Sequence, residues 1–180
     1  MNDIGDLAAL CALARWSLQA AAVSIAVVED TALHYVAADG AGAESIVGTR
    51  LAAGRGIAGF AAATGQSLTV RDPTSDPRFA RDVGEATGYV PAAIQCIPID
   101  ADGEVIAVLS ILDRTEAAVG SAGAAVPLEH ILALGATLLD GAWATDAPGA
   151  ALAQRLAALP PADRARAGSV VEAVLDAFER

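Results

Sequence analysis

Lysine is missing altogether from this 180-residue chain, and its 11 arginines stand against 22 aspartates and glutamates, for a net charge of -11. A surface that neutralises phosphates needs a cationic surplus, so this balance argues against a free-standing nucleic-acid binder and against docking on anionic membranes. Aromatic residues are scarce too, 4% of a chain that is 54% hydrophobic. The core must therefore be built from Val, Ile and Leu, closed up by Ala and Gly. Cysteine occurs twice, as Cys11 and Cys96, too few for a disulfide framework or a structural zinc site. Uninterrupted apolar runs are also lacking. The richest stretch, residues 126–144, is broken by Glu129, His130, Asp140 and two glycines, and reads as a packed helix. Met1-Asn2-Asp3 carries no basic leader, so a cytoplasmic protein is expected. With charged residues at 18%, wholesale disorder is excluded.

What is present falls into periodic segments. Ile4, Leu7, Cys11, Ala14 and Leu18 recur in steps of three and four, a helix with an apolar seam that Asn2 or Asp3 can cap. Residues 23–28 and 33–37 read as strands joined by Glu29-Asp30-Thr31, with Leu33, Tyr35 and Ala37 on one face and His34 on the other. Residues 40–51 read as a loop. A short helix follows Gly54-Arg55-Gly56 and ends at Thr64-Gly65, with Gly65 as a left-handed cap. After a brief strand at 67–70, Asp76-Pro77 predicts a helix through Phe79, Asp82, Val83 and Ala86. Residues 93–99 and 105–112 are strands around the hairpin signal Asp102-Gly103, the second central and covered on both faces. Pro98 marks a strand end or a bulge. From Pro127 onward Leu128, Ile131, Gly135, Leu138 and Ala142 repeat the helical seam. Thr145 to Gly149 is a break. Two short helices follow, one carrying Leu152, Leu156 and Leu159, the other Val174, Leu175 and Phe178 behind a capping box at Ser169.

This pattern predicts an α+β domain over 1–146 and a helical extension over 147–180. The sheet should be mainly antiparallel, of five or six strands, with the terminal helices on one face and short helices and loops over the other.

Three segments in register resemble the GAF domain family: Gly48-Thr49-Arg50-Leu51 with 54–60 and 63–68; Asp76-Pro77-Arg78-Phe79 to Gly88-Tyr89; and 94–99 with the turn Asp102-Gly103-Glu104 and 105–109. The resemblance covers residues 4–144. It implies a six-stranded antiparallel sheet, a ligand pocket under the short helices, and homodimers through the first and last helices of the domain. The seams are compatible with that dimer and equally with packing inside one chain.

By position, Ile57, Phe60, Phe79, Val83, Tyr89, Ile94 and Cys96 are the candidate ligand-binding residues, an apolar cleft with Tyr89 as its polar handle. The same side chains could instead fill that space completely. Gly54-Arg55-Gly56 lacks the Lys-Ser/Thr ending of a phosphate loop and reads as a tight turn. Cys96, among apolar strand neighbours, should be an inert thiol. The pocket loops carry no cysteine set such as a GAF-type methionine sulfoxide reductase uses. No Cys-His neighbours are present to hold a bilin, and no Asn-Lys-Phe string of the cyclic-nucleotide binders. Asp72, Asp76 and Asp82 read as turn, cap and surface residues, and His34 and His130 as surface histidines, with haem on one of them left open. The expectation is a non-enzymatic sensory or scaffold module without a cofactor or metal, acting on a separate effector protein.

Overall fold

Alternation along Val23-Ser24-Ile25-Ala26 sends Val23 and Ile25 to one face of a strand, Ser24 and Ala26 to the other. Both faces are covered, so nearly the whole strand is apolar. The computed structural model describes residues 4–115 and 126–139. Its elements are α1 (Ile4–Leu18), β1 (Ala22–Glu29), β2 (Ala32–Gly40), α2 (Ala43–Ile46), β3 (Arg50–Ala52), α3 (Gly56–Thr64), β4 (Leu68–Arg71), a 3-10 turn (Pro73–Ser75), α4 (Arg81–Ala86), β5 (Ala93–Ala101), β6 (Glu104–Leu112) and α5 (Leu128–Leu139). The strands form one antiparallel sheet in the order β3-β2-β1-β6-β5-β4. The expected α+β architecture is the observed one.

Strand β6 lies centrally between β1 and β5, as its unbroken apolar run predicts. On one face Val23, Ile25, Ile97, Ile99, Leu109 and Ile111 meet Leu7, Leu10, Cys11, Ala14 and Leu18 of α1 and Ile131 and Leu138 of α5. The two helical seams are thus buried within this one chain. The Ser17 hydroxyl accepts the Val126 amide at 2.6 Å and ties α1 to the approach of α5. On the other face Ala26, Leu33, Tyr35, Cys96 and Val108 lie under Leu51, Ile57, Ala58 and Ala61.

Four local expectations need correction. The stretch 40–51 holds the four-residue helix α2 and the three-residue edge strand β3, both too short to show a period. The helix expected from Asp76-Pro77 begins at Arg81. Asp76 instead accepts the Arg78 amide at 2.9 Å and closes a turn, which satisfies its carboxylate without a helix. Ala37 does not share a face with Leu33 and Tyr35. The β1–β2 register shifts between Ile25 and Ala26, opposite Ala37 and Tyr35, leaving Val36 as an extra residue. Pro98 sits inside β5 rather than at its end, although the other expectation, a bulge, is met close by, where the β5–β6 register shifts between Ile99 and Asp100. Ala93 turns its carbonyl to the Asp113 amide on the β6 side, so even-numbered residues of β5 face β4. The β4 ladder reaches only as far as Cys96, and Pro98 removes no ladder bond from that edge.

The Asp102-Gly103 hairpin has positive φ at both residues (51 and 85°), the mirror-image turn its sequence favours. The Asn2/Asp3 cap, Ala142, the 145–149 break, the 146/147 boundary and the helices of the extension lie outside the described residues.

Candidate functional site

Between the second face of the sheet and its cover lies a cavity of about 90 Å³. Its floor comes from β1, β2, β5 and β6, with Ser24, Tyr35, Ala38, Ile94, Ser110 and Leu112. Its roof and mouth come from α2, α3, α4 and the chain up to Pro91, with Ile46, Ile57, Ala58, Phe79, Val83, Thr87 and Tyr89. Among the described residues no charged side chain lines it.

The cover is held by local chemistry rather than by long packed helices. The turn Gly54-Arg55-Gly56 has φ of +75 and +74° at its glycines, and a Cβ on Gly59 would stand 2.9 Å from the Gly54 carbonyl carbon. This is the expected tight turn, and side chains there would block it. Arg55 at its centre pairs with Asp82 of α4. Asp76 takes the Arg78 guanidinium at 2.7 Å, and Arg78 also lies 4.9 Å over the Phe60 ring. The hydrogen bonds of Arg78 hold the Asp76 carboxyl down at about 2. Asp72 caps the 3-10 turn through the Thr74 and Ser75 hydroxyls, which draw its carboxyl below the usual range. Asp72, Asp76 and Asp82 are therefore turn and ion-pair residues.

Of the sequence candidates, Ile57, Phe79, Val83, Tyr89 and Ile94 come together around the cavity. Phe60 does not line it: α3 turns Ile57, Ala58 and Ala61 inward and leaves Phe60 on the outer side, 36% exposed. Cys96 lies under the floor, fully buried, with its sulfur 3.5 Å from Ser110 Oγ. Burial pushes its thiol up to about 12, although the Ser110 contact pulls the other way. The Cys11 thiol is likewise pushed up to about 12, first by burial and then by the Asp39 charge. Thiolates do not form near neutral pH in such places. His34 contacts Glu29 at 3.2 Å, and neither it nor the exposed His130 lines the cavity.

Tyr89 donates its hydroxyl to Asp113, whose other carboxylate oxygen accepts the Ala93 amide at 2.7 Å. Burial first, then the Asp113 hydrogen bond and charge, push the Tyr89 phenol up to about 12. The pair pins the mouth of the cavity to the end of β6. Sequence reasoning missed Asp113, and it also missed Ser24, Tyr35 and Ser110 on the floor. The signal for the serines was a hydroxyl in the middle of an otherwise apolar strand.

A single antiparallel sheet, backed by terminal helices and roofed by short ones over a small cavity, is the layout of a pocket-bearing α+β module. Residues 7–125 match the family described as GAF domain. The chain belongs to the GAF domain family. It is 40% identical over 60 residues to a probable 3',5'-cyclic phosphodiesterase, pde-5, of Caenorhabditis elegans, a stretch that is 33% of this chain and 8% of that protein. The match thus spans a small part of a much longer relative. Among solved structures, the GAF domain of an Acinetobacter phosphoenolpyruvate-protein phosphotransferase aligns with a TM-score of 0.60 at 16% identity, over 80% of this chain and 86% of that one. A free methionine-R-sulfoxide reductase of Neisseria meningitidis aligns with a TM-score of 0.59 at 19% identity, over 79% and 81%. At these identities the fold is what is shared. Among the described residues no helix is long and apolar enough to cross a membrane.

Proposed function

We propose that this chain is a non-enzymatic sensory module that holds a small molecule between the sheet and its cover and acts on a separate partner protein. The observation that carries the reading is the cavity itself, covered by short helices and lined, among the described residues, without a charged acid, base or thiolate. Its setting is cytoplasmic. The module works as a homodimer through its terminal helices. Because the inner seams of α1 and α5 are spent on the sheet, the dimer uses the outer faces, where Trp16 is 59% exposed.

Native mass spectrometry of freshly purified protein tests both parts. The expected spectrum is a dimer carrying, or able to take up, a small molecule, and Trp16→Glu should convert it to monomer. A monomer at every micromolar concentration removes the dimer. One observation favours a second reading, a scaffold with a filled pocket. The cavity of about 90 Å³ lies below the roughly 300–1,000 Å³ usual for drug-sized ligands. Protein that takes up no small molecule at all would decide for the scaffold.

A further inference from the structure

Three hydroxyls stand on the floor of an otherwise hydrocarbon cavity. Ser24 and Ser110 face each other directly across β1 and β6, and Tyr35 joins them from β2. Each residue is more than nine-tenths buried, with exposures of 8%, 3% and 7%. Among the described residues neither the Tyr35 nor the Ser24 hydroxyl has a protein hydrogen-bond partner, while both line the cavity. Ser110 Oγ has the Cys96 sulfur at 3.5 Å, a weak partner. Elsewhere in the core the buried Ser17 hydroxyl bonds the Val126 amide. Neither the Tyr35 nor the Ser24 oxygen is sealed off, so its partner has to come from whatever occupies the cavity, water or a ligand.

The rest of the lining limits what can supply the missing partner. With no charged side chain among the described residues that line the cavity, an ion entering it would shed its water and meet no counter-charge in the wall. The carboxylate of Asp113, bonded to the lining residue Tyr89, is already taken by that phenol and the Ala93 amide. Burial raises the Tyr35 phenol well above its ordinary range, so it remains a neutral donor. The volume of about 90 Å³ is smaller than the roughly 150 Å³ apolar cavity that accommodates benzene.

We infer that the cavity takes a small uncharged molecule with a hydrocarbon body shorter than a six-carbon ring and one carbonyl or hydroxyl oxygen, and that this oxygen accepts hydrogen bonds from Tyr35 and Ser24. The inference rests on the sensory reading above and narrows it to a ligand class. It sets this pocket apart from sites built for anions, where arginine or lysine would line the wall.

The test is a titration of the full chain with butanone and, separately, with butyrate, following the methyl signals of Ile57, Val83 and Ile94 by NMR. Saturable shifts are expected with butanone, and binding at least tenfold weaker with butyrate. Tyr35→Phe should weaken butanone binding about tenfold while leaving the melting temperature of the free protein unchanged or raised, since it removes a hydroxyl that had no partner. Ser24→Ala serves as the second variant, with the same sign. Butyrate binding as tightly as butanone overturns the ligand class and leaves the sensory reading standing. So does undiminished butanone binding by both variants, or a lowered melting temperature in Tyr35→Phe. If neither probe shifts a signal, the inference fails. If the native mass spectrum is also free of any small molecule, the sensory reading fails with it.

Discussion

The two faces of the sheet are built by opposite means from the same strands. On the helix face Ile25, Leu109 and Ile111 are almost completely buried under two long helices, and α5 presses close enough that a Cβ on Gly135 would stand 3.2 Å from Ile99 Cδ1. On the other face the cover consists of α2, α3 and α4, of four, nine and six residues, held by ion pairs and turn hydrogen bonds over an unfilled space. Short helices cannot present enough apolar stripe to seal a sheet on their own. One face therefore carries stability, and the other keeps an unfilled space.

Substitutions can break that contrast. The largest effect should come from Leu109→Ala, which removes a fully buried side chain and costs about 2–5 kcal/mol by urea unfolding. Val83→Ala on the half-buried roof should cost about 1 kcal/mol. If the two costs were equal, the faces would not differ as described. Gly135→Leu should lie between them at about 1–3 kcal/mol, because the side chain would collide with Ile99 and Leu10 and lift α5 from the sheet. The smallest effect concerns the cover. The Asp76 carboxyl sits at about 2 in the folded chain against 3.8 ordinarily, so its contribution to stability is complete above 3.8 and is lost as pH falls towards 2. Asp76→Asn should flatten that part of the acid side of the stability profile, measured by urea midpoints between pH 5 and about 2, and leave the Leu109→Ala cost unchanged.

The helix face was legible in the sequence because its elements are long enough to repeat. The seams at Leu7, Cys11, Ala14 and Leu18 and at Ile131, Gly135 and Leu138 read correctly as helices, and the hairpin at Asp102-Gly103 as a turn. What the seams could not reveal was their partner. The same stripe suits a neighbouring subunit or the chain's own sheet, and for the described residues it is the sheet. The cover was harder to read. A strand of three residues and a helix of four have no period, and Asp76-Pro77 carries a helix-start signature that a local ion pair overrides. Five of the seven pocket candidates line the cavity: Ile57 and Ile94 because α3 and β5 begin near their expected places, and Phe79, Val83 and Tyr89 in spite of the later start of α4. Phe60 was misplaced by the rotation of α3 about its axis, and the hydroxyl floor was passed over because a serine inside a strand looks unremarkable until its neighbours prove to be hydrocarbon.

The extra residue at Val36 lets one strand serve two masters. Ahead of it, odd-numbered side chains such as Leu33 and Tyr35 look toward the cavity; beyond it, parity is exchanged, so that Ala37 joins the helical layer and Ala38 the cavity wall. Deleting Val36 would leave Ala37, Ala38 and Asp39 on their present faces, whereas pairing Val36 regularly, without the bulge, would turn Ala38 toward α1 and Asp39 toward the cavity, so this one unpaired residue separates an uncharged recess from one with a carboxylate in its wall.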